Sequence, residues 1–345
     1  MDSRTGPALR PRAAWTSLLL VPATVLWAGA PVAAAAQDLG ADYARVEGVA
    51  DLAERCTGGR TQFLSTCREM ALAAMAVQQG VGLASALGSD IPGTPSTHGR
   101  RLGLMPRIGL TVSALALRAT LPNVSGSTPA ELAEGQSAAL LGLKGTAVAG
   151  VMDGFQLAPT VGGILSVDLI GSYSVVSLPG EAGLDGTGSG FGAGARVGVL
   201  RESFTLPGIS VAASRSWHSD IRAGNTADGN PGEATTGLTV SSLRATAGKN
   251  WFVIGIMGGV GWDRYEGDVQ LSVPRGAGDR GSINGDVASE RVLYFVSGWF
   301  NFLLTRLSVE VGVAEGVGDP FAGRSAGYDP AGATWFASAA FRITL

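Results

Sequence analysis

Through most of the chain hydrophobic and polar positions alternate with period two, the spacing that sends successive side chains to opposite faces of a β-strand. From Arg306 to Ala314, Leu307, Val309, Val311 and Val313 fall on one face and Arg306, Ser308, Glu310 and Gly312 on the other. At the C-terminus Trp335, Ala337, Ala339, Phe341, Ile343 and Leu345 alternate with Phe336, Ser338, Ala340, Arg342 and Thr344. Leu165, Val167, Leu169, Tyr173 and Val175 oppose Ser166, Asp168, Ser172 and Ser174, and Phe191, Ala193, Ala195, Val197 and Val199 oppose Gly192, Gly194, Arg196 and Gly198. Other stretches are less regular. Ile108, Leu110 and Val112 oppose Arg107, Thr111 and Ser113 until the phase slips near Ala114, which reads as a bulge. Leu141, Leu143, Ala147, Ala149 and Val151 oppose Lys144 and Thr146; Ile209, Val211, Ala213 and Trp217 share their face with Arg215. Thr236 to Ala247 changes phase around Ser241 and Ser242, Phe252, Ile254, Ile256, Val260 and Trp262 alternate with glycines, and Arg291 to Phe300 is too uniformly apolar to phase. The pattern predicts about ten strands.

The gaps between them have a rhythm of their own. Odd gaps are long and polar: Pro122 to Gln136, Pro179 to Ser189, Asp220 to Thr235, Pro274 to Ala288 and Gly316 to Gly332. Even gaps are tighter, at Arg201 to Gly208, Gly248-Lys249-Asn250 and Asn301 to Thr305, with Met152 to Gly163 the long exception. Long outer loops, short periplasmic turns and an even strand number belong together in a membrane barrel. Composition agrees. Charged residues are only 15% and Gly supplies 52 of 345 residues, yet mean hydropathy is +0.25. Beyond the N-terminal segment no run reaches the roughly 18 apolar residues of a spanning helix, so the hydrophobicity is spread over strands that satisfy one another's backbones. A two-sheet sandwich accepts the alternation but leaves the scarcity of Lys and Glu and the loop rhythm unexplained. The predicted fold is all-β: a transmembrane antiparallel barrel of about ten strands.

Ahead of the strands the sequence changes character. Residues 1–36 read as a signal peptide: Arg4, Arg10 and Arg12 precede an apolar stretch, and Ala34-Ala35-Ala36 supplies small residues for cleavage. Removing them takes the chain from 25 basic and 28 acidic residues to 22 and 27, a net charge of −5 that gives no reason to expect nucleic acid. Val46, Val49, Ala53 and Cys56, then Phe63, Cys67, Met70, Ala74 and Val77, recur at helical spacing on either side of Thr57-Gly58-Gly59. A short α-helical hairpin follows, with Cys56 and Cys67, the chain's two cysteines, joined across its turn in an oxidising compartment. The hairpin has three possible places: plugging the lumen, capping the periplasmic mouth, or apart from the barrel. The organisation is therefore 1–36 signal peptide, 37–100 hairpin with a linker at Ser89 to Gly99, and 101–345 barrel.

These features resemble those of bacterial outer-membrane β-barrel proteins. The resemblance covers the leader, the strands from about Leu102 onward and the closing Phe341-Arg342-Ile343-Thr344-Leu345. It implies an outer-membrane address, a barrel surrounded by lipid, and a last strand read by the barrel-assembly machinery through Phe341, Ile343 and Leu345. Leu345 stands where the family carries an aromatic, while Phe341 and Ile343 keep the spacing.

Candidate chemistry is sparse. Arg107, Lys144, Arg196, Arg244, Arg306 and Arg342, against Asp168 and Glu310, fall on the lumen face. In an open barrel they favour anions; in a closed one they are parts of an ion-pair network in which Arg306 meets Glu310 or Asp168. A structural barrel and a narrow anion-leaning pore for small solutes are the two leading readings. A hydrolase is a further one, with His218 at the rim beside Ser219 and Asp220, although strand neighbours point to opposite faces. A surface binding or adhesion barrel, using outer loops such as Ala223 to Gly232 and Asp319 to Gly332, is another. Two histidines and two half-cystines leave little for a metal, and no motif calls for a cofactor.

Overall fold

The structure, a computed structural model, describes residues 45–88, 100–101, 105–122, 135–155, 164–178, 187–224, 232–276, 279–321 and 328–345. The leader over 1–36 and the linker Ser89 to Gly99 lie outside the described residues. In chain order the elements are β1 (Val46–Glu47), α1 (Val49–Thr57), a 3-10 turn (Thr61–Phe63), α2 (Leu64–Ala86), β2 (Arg100–Arg101) and β3 (Met105–Pro106). Ten longer strands follow: β4 (Ile108–Pro122), β5 (Gly135–Met152), β6 (Ser166–Ser177), β7 (Thr187–Leu200), β8 (Gly208–Ala223), β9 (Glu233–Trp251), β10 (Ile254–Gly276), β11 (Asp279–Phe302), β12 (Thr305–Ala314) and β13 (Thr334–Thr344).

Each of these ten pairs antiparallel with the next, and β13 pairs back onto β4 from Trp335↔Arg118 to Thr344↔Gly109, so the sheet closes. Closure satisfies the backbone without an edge, which is the condition for standing in lipid. Register then decides which side chains meet that lipid. Leu110, Val112, Leu141, Leu143, Leu169, Leu243, Ile256, Leu307, Val309 and Val311 are exposed on the outside, while their strand neighbours are mostly turned in and buried. Aromatic residues bound the band. Tyr173, Phe191, Trp217 and Trp335 mark one level, with the Phe191 and Trp217 rings 5.2 Å apart, and Phe204, Trp251, Phe252, Phe300 and Phe302 mark the other. The ten residues from Gly208 to Trp217 rise about 23 Å at a ~40° tilt, close to the apolar height of outer-membrane barrels. Val309→Arg, in the middle of this band, is expected to cost ~2–4 kcal/mol in urea unfolding from lipid vesicles; an indifferent response would mean that this face meets water.

Three expectations change in detail. Pro274 to Ala288 is not a loop: β10 and β11 run through it, pairing Leu271 with Ile283 and Gly267 with Val287. Val269, Leu271, Val273 and Val287 are buried there, so the hairpin continues beyond the lipid to cover the helical segment. The Gly248-Lys249-Asn250 stretch still belongs to β9, and the turn falls at Phe252-Val253. No bulge interrupts β4 at Ala114, and β9 passes Ser241 and Ser242 in unbroken register. What changes at those points is the lumen. Below them β4 and β9 turn Thr111, Ser113, Ser242, Arg244 and Thr246 inward; above them they turn Leu115, Leu117, Leu121, Val240 and Leu238 inward.

The reason is α2, which lies inside the barrel. Its N-terminal part sits at the outer end, where Met70 packs by Gly232 and Val273, and its last turn reaches mid-barrel, where the Lys144 ammonium donates to the Ser85 carbonyl. Twenty-three residues make a rod of about 34 Å. A helix with ordinary side chains is 10–12 Å across, and a ten-strand barrel is little wider than one filled by its own side chains. The helix is accordingly thin, built on Ala71, Ala73, Ala74, Ala76, Gly80, Gly82, Ala84 and Ala86, and it is buried on every side from Glu69 onward. At Gly82 an added Cβ would sit 2.3 Å from the Tyr265 ring, which explains a residue that otherwise weakens a helix.

The hairpin's other arm closes the outer mouth. Cys56 and Cys67 are disulfide-bonded, with Cα atoms 5.7 Å apart. At Gly48 (φ 82°) the chain passes so close to β11 that a Cβ would meet the Asp286 carbonyl, and Arg55 Nη1 donates to the Asn284 carbonyl at 3.1 Å. β1 has a separate task. β12 ends at Ala314, opposite Leu293, while β11 runs on, and Val46–Glu47 pair with Ser289 and Ala288 along the edge left open. For a sequence separation of 11 the crosslink is worth about 3 kcal/mol. Reduction is expected to raise hydrogen exchange in α1 while barrel amides stay protected; equal loosening of both would place the disulfide's effect elsewhere.

Candidate functional site: the occupied lumen

Two levels of chemistry fill the barrel. In the outer half the wall offers Leu140, Val176, Ile221, Leu238, Val240, Tyr265 and Leu293 to α2, all buried. Buried glutamines need partners in such surroundings, and they have them. Gln78 Nε2 donates to Thr236 Oγ1 at 2.7 Å, and Gln79 Oε1 accepts from Arg291 Nη2 at 2.8 Å. These contacts fix the rotation of the helix, which a wall of aliphatic side chains alone leaves free.

Below the helix the wall becomes ionic. Asp168 on β6 stands directly opposite Arg196 on β7, and its Oδ2 accepts from Arg196 Nε (3.1 Å) and Nη2 (2.7 Å). Arg244 forks onto Asp263 at 2.6 and 2.9 Å, and the Tyr265 hydroxyl donates to the same carboxylate at 3.1 Å. Both carboxylates are fully buried and both guanidinium groups nearly so. Two charge-assisted hydrogen bonds within each pair, bidentate between Arg244 and Asp263, are what let such charges be withdrawn from water. Asp263 was not foreseen, because the glycines of β10 hide its alternation. Arg306 donates to Asn301 Oδ1 and lies 5.3 Å from the Trp299 ring, whose Nε1 donates to Asn250. Arg342 is buried directly opposite Arg306, Glu310 is buried on β12, and Arg107 is half-buried at the start of β4. Asp168 is thus engaged by Arg196.

A small void remains beneath the helix end, about 30 Å³ beside Ser85, Lys144, Ser172, Ser214, Ser216 and Ser242. On this measure it holds on the order of two waters. His218 also faces the lumen from β8. Its Nε2 is 3.2 Å from Ser216 Oγ, and its ring lies over Gly190, where a Cβ would be 2.2 Å from Nδ1. Ser219 points the other way and donates to the Ser189 carbonyl, so the rim site expected around His218 is not brought together as a nucleophile and base. A register shift between His218 and Ile221 moves Asp220 to an open cleft with Asp268, Asp286 and Arg55. Among the described residues no cluster of His, Cys, Asp and Glu has the arrangement of a metal centre. Of the loops considered for surface binding, 225–231 and 322–327 lie outside the described residues. At the C-terminus Phe341 and Ile343 face outward on β13, and Leu345 exchanges backbone hydrogen bonds with Ile108.

No protein-family model matches the sequence, and no curated protein does. Solved structures do match in shape. The translocator domain of the autotransporter NalP from Neisseria meningitidis aligns over 79% of this chain and 96% of its own at 12% identity, with a TM-score of 0.37. The transport unit of the autotransporter AIDA-I from Escherichia coli aligns over 79% and 99% at 7% identity, TM-score 0.41. The outer membrane protease OmpT from Escherichia coli aligns over 70% and 98% at 10% identity, TM-score 0.36. Closed barrel, apolar exterior band and bounding aromatics together give this chain the architecture of a transmembrane β-barrel.

Proposed function

We propose that the protein is a sealed structural barrel that anchors a disulfide-stapled cap at the outer face and passes no solute while α2 is seated. The observation that carries this reading is the burial of α2 on all sides within the lumen. The ion pairs below it support the same reading, since Arg196 and Arg244 are held by carboxylates instead of lining an aqueous path. Ionic current is the direct test: discrete steps through the intact, folded chain would give the lumen back to transport.

The narrow anion-leaning pore is then the state of the barrel with α2 withdrawn. The favouring observation is the excess of inward cations, Lys144, Arg196, Arg244, Arg291 and Arg342, over Asp168, Asp263 and Glu310. The cap's address is testable separately. An epitope inserted after Gly59, in the exposed turn between the helices, is expected to bind antibody on intact cells; labelling only after the outer membrane is opened would put the cap on the periplasmic side.

A further inference from the structure

At the outer end a cavity of about 80 Å³ lies between α2, the top of β4 and the segment leading into β13. Its walls are of two kinds. Ala76, Gly80, Leu83 and Leu121 make an apolar floor, and Gln79, Arg291, Tyr328 and Thr334 provide polar groups. Arg291 is the unusual one. It is 3% exposed, and among the described residues no carboxylate lies within ion-pairing distance of it. Nη2 donates to Gln79 and the guanidinium carbon lies 5.4 Å from the Tyr265 ring, but Nε has no acceptor. The other buried arginines of strands β7 and β9, Arg196 and Arg244, each have an aspartate. Asp329 also lines the cavity, and its Oδ1 is taken by the Ala331 amide at 2.9 Å. Burying a charge without a counter-charge is costly, and here the missing counter-charge has room beside it.

We propose that this cavity binds a short-chain carboxylate from the external medium, its carboxylate on Arg291 and its tail on the floor formed by Ala76, Leu83 and Leu121. On the measure by which a water needs 10–15 Å³, the space takes on the order of five such groups, the size of an acid of about two to four carbons. Burial holds the Tyr328 phenol above its ordinary range, so it remains a hydrogen donor toward the same end of the cavity. The site lies above the ion pairs of the lower lumen and rests on the sealed reading, since Ala76, Gln79, Gly80 and Leu83 of its wall belong to the seated α2.

The test uses the refolded full chain in vesicles with sodium butyrate as probe, read by saturation-transfer NMR and by calorimetry. Saturable binding is expected, with acetate and propionate competing. Arg291→Gln is expected to weaken it at least about tenfold, as loss of a charged hydrogen bond does, and Arg291→Lys to restore part of it. Arg291 is buried, so a second variant guards against misfolding: Ala119→Leu fills the cavity while leaving the cation in place, and is expected to abolish binding with the barrel intact. Absence of saturable butyrate binding by a demonstrably folded protein overturns the proposal. So does binding that survives both Arg291→Gln and Ala119→Leu, or chloride binding at this arginine as tightly as butyrate.

Discussion

In planar bilayers the refolded full chain is expected to show no discrete current steps, whereas a chain lacking residues 45–88 shows steps with a preference for anions. The deleted segment contains all of α1 and α2, the latter buried along the outer half of the lumen. Emptied of the helix, the outer half admits water to Lys144 and Arg291, and a path that continues past the Arg196 and Arg244 pairs meets more cations than carboxylates, a wall that selects anions. A point variant reaches the same end without truncation. Gly82→Leu puts a side chain where even a Cβ would lie 2.3 Å from the Tyr265 ring, so the helix cannot seat; flickering current is expected in place of silence. If the deletion is silent in a barrel shown to be closed and inserted, the lower ion pairs are themselves the seal. If the intact chain conducts, the sealed reading fails.

The second large effect concerns those ion pairs. Asp263→Ala leaves Arg244 buried at mid-wall with its bidentate partner gone and the Tyr265 hydroxyl without its acceptor. A buried pair broken on one side costs ~3–5 kcal/mol, because the surviving charge remains in a medium that cannot solvate it. Replacing both partners, Arg244→Leu with Asp263→Leu, removes both charges and is expected to restore most of that loss. Urea unfolding from lipid vesicles across the double-mutant cycle measures the coupling. Equal destabilisation by the single and the double variants would mean that the pair acts through shape, and that water reaches Arg244 freely in the lower lumen.

The strand pattern was legible from residues alone because each strand has one lipid face, and lipid imposes the same demand at every height. Leu307, Val309 and Val311 on β12 and Ala337, Ala339 and Phe341 on β13 alternate for that reason, and the register Val311↔Ala337 follows from it. The helical hairpin and its disulfide were legible too, since Cys56 and Cys67 flank a glycine-marked turn. The lumen face was not, because what it must satisfy depends on what lies opposite. On β4 and β9 the inward residues change from polar to apolar partway up, and read along a single strand this looks like a slip of phase near Ala114 and Ser241. Only the closed barrel shows that both changes stand at the level where α2 ends, at Ser85 beside Lys144. The same holds for the helix. Met70 to Leu87 carries no charge and is rich in alanine, a composition compatible with several sites of docking. That it lies in the lumen was decided by size: a thin helix and a narrow barrel bury each other's apolar surface and leave only small cavities between them. Asp263 and the buried Arg291 belong to the same class of fact, since a charge inside a barrel takes its meaning from the strand or helix across from it.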